Sequence, residues 1–226
     1  MRHPATQALY AYWNEVRGAR IAPRRLDIQP ARIAGLLLDA FILERTDGRA
    51  FRFRLAGTRV AARFGLQLKS ESFLSCWGEG DRGLLAHHLA SIAELGRVGV
   101  FTGEATLRED PDQPGVSDLP YAFELVILPL VHSGETIDRL LCLLVPLDPQ
   151  DAWPDASIHR LRLVAAQSVR PDGALVDPFV STDAYASLAD RQVPLRPHVR
   201  TARIVRQGRR QFRVYEGGQS GKTDGV

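Results

Sequence analysis

The sequence has little of what metal sites, disulfide frameworks and membrane spans require. Its 226 residues include two cysteines, Cys76 and Cys142, whereas a structural zinc site needs a cluster of ligands that are mostly cysteine and histidine. No apolar run approaches the roughly 18 residues of a transmembrane helix. The N-terminus does not place a basic segment before an apolar one, so no secretory signal is predicted. We therefore predict a cytoplasmic protein with no membrane attachment.

Sequence motifs of common enzyme active sites are also missing. No nucleophile elbow, zinc-protease helix or dinucleotide-binding fingerprint is present. Residues 217–223 end in Gly-Lys-Thr like a phosphate-binding loop, but Glu216 stands where the first glycine belongs and only three residues follow Thr223. Glu104 and Glu124 fall on adjacent predicted strands, where two exposed carboxylates are expected rather than an acid–base pair. We therefore predict that the protein is not an enzyme and holds no metal.

The charge is divided unevenly between a body and a tail. Residues 191–226 carry nine basic residues against two acidic ones, a net charge of +7, while the rest of the chain carries 20 against 24, a net charge of −4. Within the tail, residues 191–215 hold eight arginines and no acid, interleaved with aromatic residues. This pattern is typical of nucleic-acid binding, which is our alternative function. The interpretation that we favour is a solvated hairpin attracted to the acidic body or to an acidic partner.

Hydrophobic periodicity predicts an α+β protein. The expected elements are a helix over 5–17, strands over 41–45 and 51–56, short helices over 58–64 and 73–77, a longer helix over 81–95, and strands over 100–108, 121–131 and 139–147. Asp47-Gly48 between the first two strands is a hairpin signal. Five antiparallel strands with helices on one face, flanked by the N-terminal helix, form a layered architecture.

The predicted organisation has three parts. The layered domain with its N-terminal helix covers residues 1–150, and a proline- and aspartate-rich boundary follows. Residues 151–215 form a C-terminal extension with short strands over 161–169, 203–205 and 211–215. Residues 216–226 are predicted to be a disordered tail.

Several short motifs occur in an order that resembles a known family. The motifs lie at residues 9–13, 17–18, 22–25, 27–28, 41–44, 53–59, 64–65, 68–69 and 72–73, with Pro30 and Trp77. They are similar to a short bacterial PAS-type family long described as a domain of unknown function, and the strand and helix order resembles the PAS fold. Ser70 departs from the pattern, which has glycine there, so its Cβ would strain a turn that needs a positive φ. The resemblance implies a sensory or regulatory module without catalytic residues.

The predicted ligand pocket lies between the sheet and the helices. A small molecule or a partner would occupy it and shift the population of two packing states of the N-terminal helix or the tail. A plain packed core is the alternative for the same residues. The pocket candidates are Phe53, Leu55, Phe64, Phe73, Trp77, Leu85, His88, Ile92, Phe123 and Leu125.

Signalling is expected to leave through protein contacts. The N-terminal helix carries one apolar stripe, and its candidate partner-binding residues are Leu9, Tyr12, Trp13 and Val16. We predict that this helix forms a homodimer and contacts a protein partner. His88 on the long helix is expected to be a core histidine and Cys76 a small buried thiol, so neither haem nor flavin nor any other cofactor is predicted.

Overall fold

The computed structural model describes residues 1–65, 67–108, 120–147, 157–171, 175–180, 202–207 and 210–215. The chain divides into two compact units, Met1–Tyr185 and Ala186–Val226. Within the described residues, no helix has both the length and the apolar character that crossing a membrane requires. The predicted tail over 216–226 lies outside the described residues.

The first unit is built around one antiparallel sheet. Its helices are α1 (Pro4–Arg17), α2 (Thr58–Phe64) and α3 (Glu79–Leu95), with 3-10 helices at Arg25–Asp27, Pro30–Leu36 and Phe73–Cys76. Its strands are β1 (Ala40–Arg45), β2 (Phe51–Ala56), β3 (Val98–Leu107), β4 (Tyr121–Val131), β5 (Ile137–Pro146), β6 (Ile158–Val169) and β7 (Leu175–Val180). They lie in the order β2-β1-β5-β4-β3-β6-β7. The predicted α+β fold and its first five strands are confirmed, and β6 and β7 extend the sheet beyond β3.

The second unit contains a two-stranded hairpin. Strands β8 (Ala202–Gln207) and β9 (Arg210–Tyr215) pair antiparallel, with Ala202 opposite Tyr215 and Gln207 opposite Arg210. This pairing matches the hairpin predicted from the segments 203–205 and 211–215 on either side of Gln207-Gly208.

Helices cover both faces of the large sheet. Alternate residues of a strand point to opposite faces, and β4 places Leu125 and Ile127 in the core beneath α2 and α3. The intervening residues Val126 and Leu128 pack in a second core with α1 and the helix Pro30–Leu36. The sheet is therefore a middle layer, with α1 on the face opposite α3.

Local sequence accounts for the bounds of α1. The His3 Nδ1 atom accepts a hydrogen bond from the Ala5 N–H over 3.1 Å, which caps the helix N-terminus. Pro4 occupies the first turn, where its missing N–H costs nothing. Gly18 ends the helix at a φ of 59°, a conformation that glycine adopts at little cost.

A β-bulge changes the face of the sheet on which one predicted pocket residue, Leu55, places its side chain. In the β1–β2 pairing Ile42 lies opposite Leu55 and Leu43 lies opposite Phe53, so Arg54 is the extra residue of a bulge. One inserted residue reverses the alternation of the strand. Phe53 is buried against Phe64 of α2 and Phe73, whereas Leu55 is 53% exposed on the other face. The two residues are predicted to line one pocket between the sheet and the helices, and the structure places them on opposite faces of the sheet.

Ser70 occupies a strained turn beside the edge of the sheet. Its φ is 71°, the only positive φ of a non-glycine residue in the described part of the chain. The Ser70 N–H donates to the Phe53 carbonyl over 2.7 Å, and Arg52 donates to the Ser70 carbonyl over 2.9 Å. The turn therefore holds this segment against the outer edge of β2, which would otherwise expose unpaired backbone groups.

Candidate functional site

The predicted pocket residues come together as an aromatic core beneath α3. Eight of the ten belong to one buried cluster, from which Leu55 and His88 are missing. Ring centroids are 5.6 Å apart for Phe53 and Phe73, 5.7 Å for Phe73 and Trp77, and 5.9 Å for Trp77 and Phe123. Offset and edge-on pairs at these separations attract each other beyond simple burial. The cluster runs from β2 through the helix Phe73–Cys76 to β4.

Trp77 contributes a polar group at the centre of this cluster. Its side chain is fully buried, and its indole Nε1–H has no hydrogen-bond partner among the described residues. Leaving a buried donor unpaired costs about 1–3 kcal/mol. By contrast, the equally buried Trp13 donates its Nε1–H to the Pro129 carbonyl over 2.9 Å. Trp77 therefore offers a donor for which the described residues around it provide no acceptor.

The backbone around Trp77 is held by the strand that the sequence assigns to the C-terminal extension. Trp77 forms a parallel bridge with Leu161 of β6, and the Gly78 N–H donates to the Leu161 carbonyl over 2.9 Å. The Trp77 carbonyl accepts from the Arg82 Nε over 3.1 Å. These hydrogen bonds hold the backbone at Trp77 in place. The unpaired Nε1–H therefore belongs to a well-anchored segment.

His88 lies beside the cluster as the expected core histidine, whereas Cys76 is only partly buried rather than fully buried as expected. His88 is buried, and its ring contacts Phe101 at a centroid distance of 5.7 Å. Burial raises the pKa of the Cys76 thiol to about 11, so this thiol stays protonated near neutral pH. Burial also raises the pKa of Cys142. Among the described residues, no group of three or more His, Cys, Asp or Glu side chains is placed to hold a metal.

Glu124 makes contacts that its place in the sequence does not predict. It lies on β4 with its side chain 1% exposed, which corrects the expectation of an exposed carboxylate. Its two oxygens accept hydrogen bonds from the Arg2 N–H over 2.7 Å and from the His3 N–H over 3.1 Å. The Thr6 hydroxyl also hydrogen-bonds to it. The carboxylate thus caps α1 from the sheet, at the end where the helix dipole is positive.

Glu104 is buried as well but forms a separate contact. It is 6% exposed, and Arg162 of β6 donates to it over 2.5 Å. Because Glu104 and Glu124 bind different partners, the structure does not join them into an acid–base pair.

The predicted partner-binding residues mostly face their own sheet. Leu9 and Trp13 are fully buried and Tyr12 nearly so, in the core that α1 shares with β4 and β5. The Tyr12 hydroxyl accepts a hydrogen bond from the Gln29 N–H over 2.7 Å. Val16 is partly buried at the edge of this core. The apolar stripe of α1 therefore closes the sheet of its own chain.

The structure describes no side chain of the arginine-rich segment 191–215. Only the backbone of β8 and β9 is described there. The phosphate-loop-like residues 217–223 also lie outside the described residues.

The comparisons with known proteins agree with this architecture. A family model described as PAS domain matches residues 1–145, which is more than half of the chain. The match covers α1, β1 to β4, nearly all of β5, and the helices between β2 and β3. No curated protein and no solved structure matches the chain.

Proposed function

Because the chain belongs to the PAS domain family, we propose that it is a regulatory module that binds a small molecule against Trp77 and signals through protein contacts of α1. Family membership indicates a sensory or regulatory role. The proposed ligand site and the proposed route of the signal rest on the geometry of the aromatic core and of β4. The proposed ligand is a small molecule that is mostly apolar and carries at least one hydrogen-bond acceptor.

The unpaired Trp77 Nε1–H is the observation that carries this proposal. Native proteins pair nearly all of their buried polar groups, so an exception calls for a functional explanation or a bound molecule. An acceptor at this position would remove the cost of the unpaired donor only when the ligand is present. The rest of the ligand would contact the rings of Phe73 and Phe123.

Strand β4 supplies the route from the core to α1. Phe123 contacts Trp77 on one face of the sheet, and the next residue, Glu124, holds the start of α1 on the other. A ligand that moves Phe123 would therefore change the geometry of the adjacent carboxylate. We propose two states, with Glu124 bonded to α1 or released from it, and a ligand that binds one state better.

Other parts of the functional prediction remain proposals. Since the apolar stripe of α1 faces the sheet, the surface that α1 offers to a partner carries the exposed residues Gln7, Ala8, Ala11 and Glu15. Homodimerisation through α1, a protein partner and a cytoplasmic location stay predictions. Nucleic-acid binding by residues 191–215 stays the alternative.

We expect Trp77→Phe to bind the molecule more weakly, because phenylalanine keeps an aromatic ring but lacks the indole N–H. Native mass spectrometry of the wild type purified from its own host should show a second mass above that of the bare chain. The fraction of Trp77→Phe that carries the molecule should be smaller than for the wild type. The expected affinity is about tenfold lower, which corresponds to the loss of one hydrogen bond. The absorption spectrum of the wild type would show whether the molecule is a haem or a flavin, which we do not expect.

Trp13→Phe is the matched control. It makes the same substitution at a fully buried indole whose N–H already has an acceptor within the chain. It should lose stability yet retain the extra mass. A wild type with one mass only, or a Trp77→Phe variant that retains the molecule as well as Trp13→Phe does, would refute the proposed site.

A further inference from the structure

Two adjoining cavities lie on the face of the sheet opposite Trp77. The larger has a volume of 310 Å³ and an aliphatic wall that includes Ile33, Leu37 and Leu130. The smaller has a volume of 250 Å³. Arg25, Ile42 and Leu55 line both, so the two cavities form one continuous groove beside the β1–β2 hairpin.

The two cavities differ in charge. Arg25, Arg54, Arg139 and His132 line the smaller one, and no carboxylate lines either. Glu44 lies nearby, 2.8 Å from Arg139 and 3.8 Å from Arg54. No hydrogen bond or ion pair in the described part of the chain involves the Arg25 guanidinium, at the junction of the two cavities. The groove is therefore apolar at one end and cationic at the other.

Two leucines of the groove are among the exposed large hydrophobic residues of the described chain. Leu26 is 84% exposed and Leu55 is 53% exposed, and both stand at the cationic cavity. The bulge at Arg54 is what turns Leu55 to this face. Large apolar side chains gathered in a concave site, with a few polar groups at one end, are the usual composition of a small-molecule site.

We propose that this groove binds a single-chain anionic amphiphile, an aliphatic chain of roughly ten carbons ending in a carboxylate. At about 30 Å³ for each water-sized group, the larger cavity accommodates roughly ten methylenes. The carboxylate would lie in the smaller cavity and accept hydrogen bonds from Arg25 and Arg54, since guanidinium and carboxylate match in shape and charge. This site is separate from the proposed core site, so either can fail without the other.

Calorimetric titration of the full chain with decanoate tests the proposal. We expect one saturable site with a Kd on the order of a millimolar or tighter. Each methylene removed should weaken binding about fourfold, so hexanoate should bind about 200-fold more weakly. Decyltrimethylammonium, which has the same tail and the opposite charge, should not saturate the site. Equal binding of the two decyl compounds, or no saturation by decanoate, would overturn the proposal.

Two matched pairs of variants locate the site. Leu55→Asp should weaken decanoate binding more than tenfold, whereas Leu95→Asp, at a leucine of similar exposure on α3, should leave it unchanged. Arg25→Ala should weaken binding about fivefold, and Arg49→Ala in the exposed hairpin turn should not. If Leu55→Asp binds decanoate like the wild type, the site is elsewhere and the proposal is wrong.

Sedimentation separates a ligand site from a surface that a second copy covers. A wild type whose oligomeric state is changed neither by decanoate nor by Leu55→Asp supports the proposal. A wild-type dimer that Leu55→Asp converts into a folded monomer would show that the groove is an interface between copies and would overturn it.

Discussion

Trp13→Ala should lower the free energy of unfolding by about 3–5 kcal/mol, the usual cost of truncating a fully buried tryptophan. The indole fills the core between α1 and the sheet, and its N–H is the donor to the Pro129 carbonyl. The substitution leaves a cavity and removes that hydrogen bond. Urea unfolding of the variant and the wild type measures this loss. The comparison requires that the free energy of unfolding falls with urea concentration at the same slope in both proteins.

The same variant separates a lid on the chain's own sheet from a dimer interface. If α1 packs as the structure shows, wild type and variant should sediment alike, and the whole effect should be a loss of stability. Trp13→Phe should cost less than Trp13→Ala, because most of the apolar volume remains. A wild-type dimer that becomes a stable, folded monomer in Trp13→Ala would contradict this packing and show that the apolar stripe of α1 is itself the dimer interface.

Glu124→Gln should destabilise the protein by about 1–3 kcal/mol and release the start of α1. A glutamine amide has one acceptor oxygen, and its NH2 group cannot accept the bond from either Arg2 or His3. One partly buried backbone N–H therefore loses its partner, and the negative charge at the helix N-terminus is lost as well. Hydrogen exchange should show faster exchange of the α1 amides than in the wild type.

Glu104→Gln is the control for a buried carboxylate that does not contact α1. The substitution removes the charge of Glu104 on β3, which pairs with Arg162 on β6. It should lower stability without making the α1 amides exchange faster relative to those of the sheet. If both variants affect α1 equally, Glu124 has no particular role in holding the helix.

Local signals were sufficient to predict most of the fold. The apolar run of β5 predicted a strand buried on both faces, and Leu140 to Val145 are buried as expected. Asp47-Gly48 predicted the turn between β1 and β2, and Ser70 was identified as a residue in a turn that favours glycine. These features depend on residues close together in sequence, which is why periodicity and turn chemistry were enough.

The errors arise where distant residues decide the outcome. Phe53 and Leu55 follow a regular alternation in sequence, and only the pairing with β1 introduces the bulge that separates them. Glu124 looks like an exposed strand carboxylate because its hydrogen-bond donors lie more than a hundred residues away. The placement of β6 beside β3 has the same origin, since strand neighbours are set by long-range pairing.

The sequence predicted which residues form the aromatic core but not what distinguishes Trp77 within it. Tryptophans at positions 13 and 77 are both buried, and sequence alone gives no reason to treat them differently. The distinction depends on whether a carbonyl stands opposite the indole nitrogen. That carbonyl belongs to Pro129 for Trp13, and the described structure offers none to Trp77.

Hydrogen exchange across α1, with and without the molecule bound in the core, is the most direct test of the central claim. The protein purified from its own host would be compared with the same protein unfolded in urea, freed of small molecules and refolded. We predict that protection of the Pro4–Arg17 amides changes roughly 5- to 150-fold, the usual range of coupling between two sites, while the β1–β2 hairpin keeps its protection. Unchanged protection of α1, with a molecule shown to leave the Trp77 site, would contradict the account.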